Sequence, residues 1–166
     1  MTHYPVDMDV RPQVTAFFDD ATNTISYVVR DPDSRTCAVV DSVMDIDMPS
    51  GRITYGQADA MIAHIEAEGL TLEWIIETHV HADHLSAAPY IQQKLGGKIG
   101  IGEKILVVQD VFGKIFNEGT EFQRDGSQFD RLPSRWNSVP SLKILPNTSC
   151  TTRIFSPMPI LPPSFC

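Results

Sequence analysis

Cysteine is scarce in this 166-residue chain. Cys37, Cys150 and Cys166 are odd in number and far apart, so no disulfide framework is expected. No apolar run approaches the length that spans a bilayer. Residues Met1 to Asp7 lack the basic end and apolar core of a secretory leader, which makes the cytoplasm the expected compartment. Basic residues are also few. Thirteen Lys and Arg against 21 Asp and Glu leave a net charge of -8, which argues against nucleic acid and anionic membrane as partners. Glycines cluster at Gly96, Gly97, Gly100 and Gly102, but neither phosphate-binding pattern is met. Glu103 stands where the P-loop needs lysine, and Ile105 where the dinucleotide motif needs glycine.

Hydrophobic residues make up 42% and charged residues 20%, as in a globular domain able to bury a core. Thr24–Val29 and Thr36–Asp41 read as strands joined by the turn Asp31-Pro32-Asp33-Ser34. Asp45 and Asp47 read as a solvated acidic turn. Ala58, Met61, Ile62 and Ile65 recur at helical spacing after a capping box, Thr54-x-x-Gln57, and Gly69 provides the stop. His64 lies off that stripe and reads as a surface residue. Leu72–Glu77 is a buried strand. Ser86 is placed to cap a helix from Ala87 to Leu95, and Lys98–Gly102 returns as a short strand. Glu103–Asn117 reads as an amphipathic helix, with Ile105, Val108, Phe112 and Ile115 or Phe116 facing inward. The order β-β-α-β-α-β-α defines an α/β fold.

The strand at Leu72–Glu77 delivers Thr78-His79-Val80-His81-Ala82-Asp83-His84, which holds three of the five histidines and a carboxylate. Imidazole and carboxylate suit Zn and non-haem Fe. In an extended or turning segment His79 and His81 point the same way, while Asp83 and His84 swing round as the chain bends. Such a loop can surround one or two ions, so His79, His81, Asp83 and His84 are the expected metal residues.

The run Thr-His-x-His-x-Asp-His resembles the signature of the metallo-β-lactamase superfamily. Ser50-Gly51-Arg52, Glu68-Gly69-Leu70-Thr71, Glu77 through Ala88 and Lys94 through Glu103 make the chain similar to bacterial persulfide dioxygenases, also called β-lactamase hydrolase-like proteins. The resemblance runs from about Val14 to about Arg131. It implies the first half of an αββα sandwich. It also implies Fe(II), with a glutathione-type persulfide and O2 giving sulfite and the thiol, so the expected partner is a small thiol or persulfide. Under this implication His79 is an iron ligand, and His81, Asp83 and His84 orient ligands and bound water. In hydrolases of the glyoxalase II type, thioester-cleaving and Zn-dependent, His79 and His81 would match ligands of one metal and Asp83 and His84 ligands of a second. The family's strand-end aspartate matching Asp41 lies near the site, with no ligand role assigned.

The later ligand segments of either enzyme have no counterpart, since no histidine follows His84. Residues 132–166 contain no Asp, Glu, Gly or His, but seven prolines and six serines; their three cations leave -11 on the remainder. A shift this abrupt sets a boundary between a domain at 1–131 and an unrelated, irregular tail at 132–166. A shifted reading frame or aberrant gene end is the expected origin. The missing ligands put an inactive remnant ahead of either enzyme for these 166 residues.

Overall fold

A computed structural model describes residues 11–119 and 123–134. In chain order the elements are β1 (Gln13–Asp19), β2 (Thr24–Arg30), β3 (Thr36–Val40), β4 (Val43–Asp47), β5 (Arg52–Thr54), α1 (Gly56–Ala67), β6 (Thr71–Glu77), β7 (Leu85–Ser86), α2 (Ala88–Leu95), β8 (Lys98–Ile101) and α3 (Ile105–Ile115). Five strands form one sheet in the order β1-β2-β3-β6-β8, and β5-β4-β7 form a smaller one. The chain thus has the α/β architecture expected of half a metallo-β-lactamase sandwich.

The β2–β3 hairpin closes through Asp31, whose carboxylate accepts from the Asp33 amide (3.0 Å) and the Ser34 hydroxyl (2.7 Å). Strands β3, β6 and β8 are parallel and form the half of the sheet that carries the site. Buried parallel strands read as continuous apolar runs, and β6 does so from Trp74 to Ile76. Helices α1 and α2 bury Met61, Ile65 and Ile91 against Val28, Val39 and Ile75. Leu72 and Ile75 both join this core despite their odd spacing, because the β3–β6 register shifts beside Cys37 and Ala38. Gly97, at φ +88°, passes so close to Leu72 that a Cβ would meet it at 3.3 Å.

Strands β1, β4, β5 and β7 add to the order read from sequence, and three further details depart from it. The expected capping box does not form: Gln57 turns inward to the Ser26 hydroxyl and the Phe17 carbonyl. The amide that opens α1, that of Gly56, instead donates to Asp45 at 2.6 Å, so Asp45 anchors this helix rather than lying in a solvated turn. The third departure is α3, which buries Ile105, Gln109 and Gly113, while Phe112, Ile115 and Phe116 are exposed. Its inner face is fixed by polar contacts. The Gln109 side chain accepts from the Gly126 amide and donates to Gln128, and the Arg124 guanidinium lies over Gly113.

Ser86 does support α2, accepting from the Ala88 amide at 3.0 Å. Backbone pairing continues past Arg131. Arg131 bridges Gly100, Pro133 is buried, and the Pro133 carbonyl accepts from the Glu103 amide. The expected irregularity of the tail beyond Ser134 falls outside the described residues. Among the described residues, no helix is long and apolar enough to cross a membrane.

Candidate metal centre

The site lies beyond the C-terminal ends of the parallel strands, where a rigid sheet can hold irregular loops in place. Asp41 follows β3 at φ +50°, a left-handed conformation that Asp tolerates better than most residues. Its amide extends the ladder to the Ile76 carbonyl at 2.9 Å. Glu77 ends β6, and the chain from Thr78 to Leu85 loops out and returns at Ser86.

Asp41 and Thr78 tie the two strand ends together. Asp41 Oδ1 accepts from the Thr78 amide (2.7 Å) and Oδ2 from the Thr78 hydroxyl (2.6 Å). The His81 ring enters between two carboxylates, with Nε2 at 3.1 Å from Asp41 Oδ1 and 2.9 Å from Glu77 Oε2. The other Glu77 oxygen accepts from the Ser86 hydroxyl. The ring centroids of His79 and His84 lie 4.3 Å and 4.2 Å from that of His81. Asp83 is exposed, and His84 is 8% exposed.

These bonds assign a proton to each ring. An ionised carboxylate only accepts, so His81 Nε2 carries hydrogen, and Nδ1 is the nitrogen that holds the lone pair once the ring is neutral. The single Thr78 hydroxyl hydrogen goes to Asp41. His79 Nδ1, at 2.7 Å from that hydroxyl, must therefore donate to it, which leaves Nε2 free. His84 Nδ1 faces the Leu85 carbonyl at 3.1 Å, and Nε2 again is left free. Orientation of this kind through the non-ligating nitrogen is what metal-binding histidines require. The donor set fits a metal.

Two groups have their candidate donor atoms within 4.8 Å of one another: Asp41, His79 and His81, and His81, Asp83 and His84. Of the four residues expected from sequence, the structure groups His79 with His81 and, separately, Asp83 and His84 with His81. Asp41 joins them as a candidate ligand, beyond what the sequence assigned. Glu77 was missed, although an acid closing an otherwise apolar strand directly before a histidine loop was a usable signal. His64 stays apart, edge-on to Phe17.

Electrostatics follow the same contacts. Burial pushes the Asp41 carboxyl up, but hydrogen bonds from His81 and Thr78 outweigh it and hold the group below its ordinary range. Burial disfavours the His81 cation, yet hydrogen bonds to Asp41 and Glu77, and their charges, raise it to about 9. In the metal-free chain the protonated ring therefore stabilises the fold fully below pH 6.5, and this contribution is lost as pH rises through 9. Asp41 acts oppositely, its contribution present above pH 3.8 and lost as pH falls through its lowered value. Melting in chelator should show a falling midpoint from pH 6.5 to 9.5, and His81→Gln should remove that slope. Zinc affinity should rise over the same window, because an imidazolium has no lone pair to give.

Comparison with known proteins identifies the family. The family model of the metallo-β-lactamase superfamily matches residues 19–164. The chain belongs to the metallo-β-lactamase superfamily. The match to this superfamily runs past Arg131 into the segment that composition sets apart. A Burkholderia pseudomallei protein named probable metallo-hydrolase is 56% identical over 119 residues, which cover 72% of this chain and 40% of that protein. A Xylella fastidiosa β-lactamase hydrolase-like protein is 46% identical over 121 residues, 73% of this chain and 28% of its own length. Dictyostelium discoideum glyoxylase B2 is 38% identical over 126 residues, 75% of this chain and 43% of its own. The chain therefore spans less than half the length of these superfamily relatives.

Proposed function

We propose that this metallo-β-lactamase-fold chain carries the first ligand loop of an Fe(II)-dependent persulfide dioxygenase. The observation that supports a metal role best is that His79 Nε2, His81 Nδ1 and His84 Nε2 are each left unbonded while the other ring nitrogen is held by a neighbour. His79 would bind the ion, with Thr78 and Asp41 keeping its ring in place. His81 would present Nδ1 from between its two carboxylates. When bound, Fe(II) supplies a redox-active centre at which a persulfide sulfur and O2 can meet. A shallow hollow of about 10 Å³ beside His79, lined by Thr78, Val80, Ile101, Ile105 and Val108 among others, has room for a water molecule. Iron and the persulfide rest on the likeness of Glu77–Ala88 to that family.

A second reading is a Zn-dependent thioester hydrolase, in line with the hydrolase names of the two bacterial relatives. The two readings separate in a hybrid that joins residues 1–131 to the part of the Burkholderia relative lying C-terminal to the shared region. Loaded anaerobically with Fe(II), the hybrid should consume O2 with glutathione persulfide and leave S-lactoylglutathione intact. Thioester cleavage with Zn(II), and no oxygen uptake with Fe(II), would establish the hydrolase instead.

A further inference from the structure

We infer that Glu77, locked by Ser86, is the positioning residue that fixes which nitrogen His81 offers to a metal ion. This rests on the metal-loop reading above and adds a residue to it. Glu77 is 4% exposed, and a buried carboxylate is costly unless its oxygens are well bonded. Its two side-chain partners are the Ser86 hydroxyl at Oε1 and His81 Nε2 at Oε2.

Asp41 is a weaker candidate for this task. It already accepts both Thr78 donors, one of them at the same Oδ1 that faces His81. Ser86, by contrast, is committed to Glu77. Its oxygen accepts from the Ala88 amide at the start of α2, which directs its hydrogen at the carboxylate. Its backbone is fixed in turn, because Ser86 pairs with Val43 and the next amide, Ala87, donates to the Ser42 carbonyl. A continuous chain of hydrogen bonds thus runs from the end of a helix, through Ser86 and Glu77, to His81. The same pair clasps the two ends of the metal loop at its base.

The test is a double-mutant cycle in the full chain with Glu77→Gln, Ser86→Ala and the pair combined, read as Zn(II) affinity in competition with a chromogenic chelator at high pH, so that proton competition at His81 does not offset the loss. Melting in chelator reports the fold separately. Glu77→Gln keeps the shape and removes the charge, and should weaken zinc binding about 10- to 100-fold. Ser86→Ala should weaken it in the same direction. The double variant should be no weaker than Glu77→Gln, because Ser86 acts through Glu77. Long-range imidazole 15N spectra of the zinc-loaded chain should show His81 bound through Nδ1 with hydrogen on Nε2. Wild-type zinc binding with Glu77→Gln unchanged, or strictly additive losses, would overturn the role of Glu77 alone. No zinc binding by the wild type would overturn the metal loop and this inference with it. If Glu77→Gln does not fold, Ser86→Ala decides: weaker binding at an unchanged melting midpoint supports the role, and unchanged binding overturns it.

Discussion

Loaded anaerobically with Fe(II), the 166-residue chain by itself is expected to take up no oxygen above the buffer rate when glutathione persulfide is added. A facial triad needs two imidazoles, a carboxylate and open positions. The resemblance takes one ligand, His79, from this loop, and the second imidazole and the carboxylate from later segments that have no counterpart here, since no histidine follows His84. Among the described residues, Asp41, grouped with His79 and His81, already accepts from the Thr78 amide, the Thr78 hydroxyl and His81, and Asp83, grouped with His81 and His84, is exposed. In the hybrid with the Burkholderia relative, His79→Ala should lower both iron binding and oxygen uptake by at least about 100-fold, since losing a ligand costs more than losing its support. Oxygen uptake by the chain alone, measured with an oxygen electrode, would show that its own loop completes a working centre.

The second large effect is expected at Asp41. Asp41→Ala removes the acceptor for three donors at once and leaves the His81 cation half compensated beside Glu77. Breaking a fully buried pair costs roughly 3–5 kcal/mol; with Asp41 half-buried and Glu77 still facing the ring, the loss should fall below that range. Alanine also tolerates φ +50° less well than aspartate. Denaturant unfolding in chelator should show the whole loss. Asp41→Asn should recover part of it, because asparagine accepts that backbone angle and keeps one acceptor oxygen. A loss below about 1 kcal/mol, the size of one ordinary hydrogen bond, would mean that Thr78 and His81 find other partners.

Much of this was legible in the sequence. The β2–β3 hairpin, the stripe Ala58-Met61-Ile62-Ile65 and the apolar β6 each follow from local pattern, and the histidine loop follows from residue type and spacing. The rest depended on contacts between distant segments. Asp45 reads as a solvated turn until the start of α1, eleven residues on, is folded against it. Strand β1 is half polar and gains its place by pairing with β2. The apolar residues of α3 suggested an inward stripe through Phe112. The helix instead turns on Gln109 and Gly113, which meet the segment around Arg124 and Gly126. Glu77 looked like the last residue of a strand, and its task appears once Ser86 and His81 converge on it.

His81 belongs to both candidate donor groups. A neutral imidazole has one lone pair, and here the second nitrogen is committed to Asp41 and Glu77, so the ring cannot bridge two ions. An ion beside His79 that takes His81 leaves Asp83 and His84 as this loop's donors for a second. The two berths are therefore unequal: one is backed by the sheet through Asp41 and Thr78, and the other ends on an exposed carboxylate.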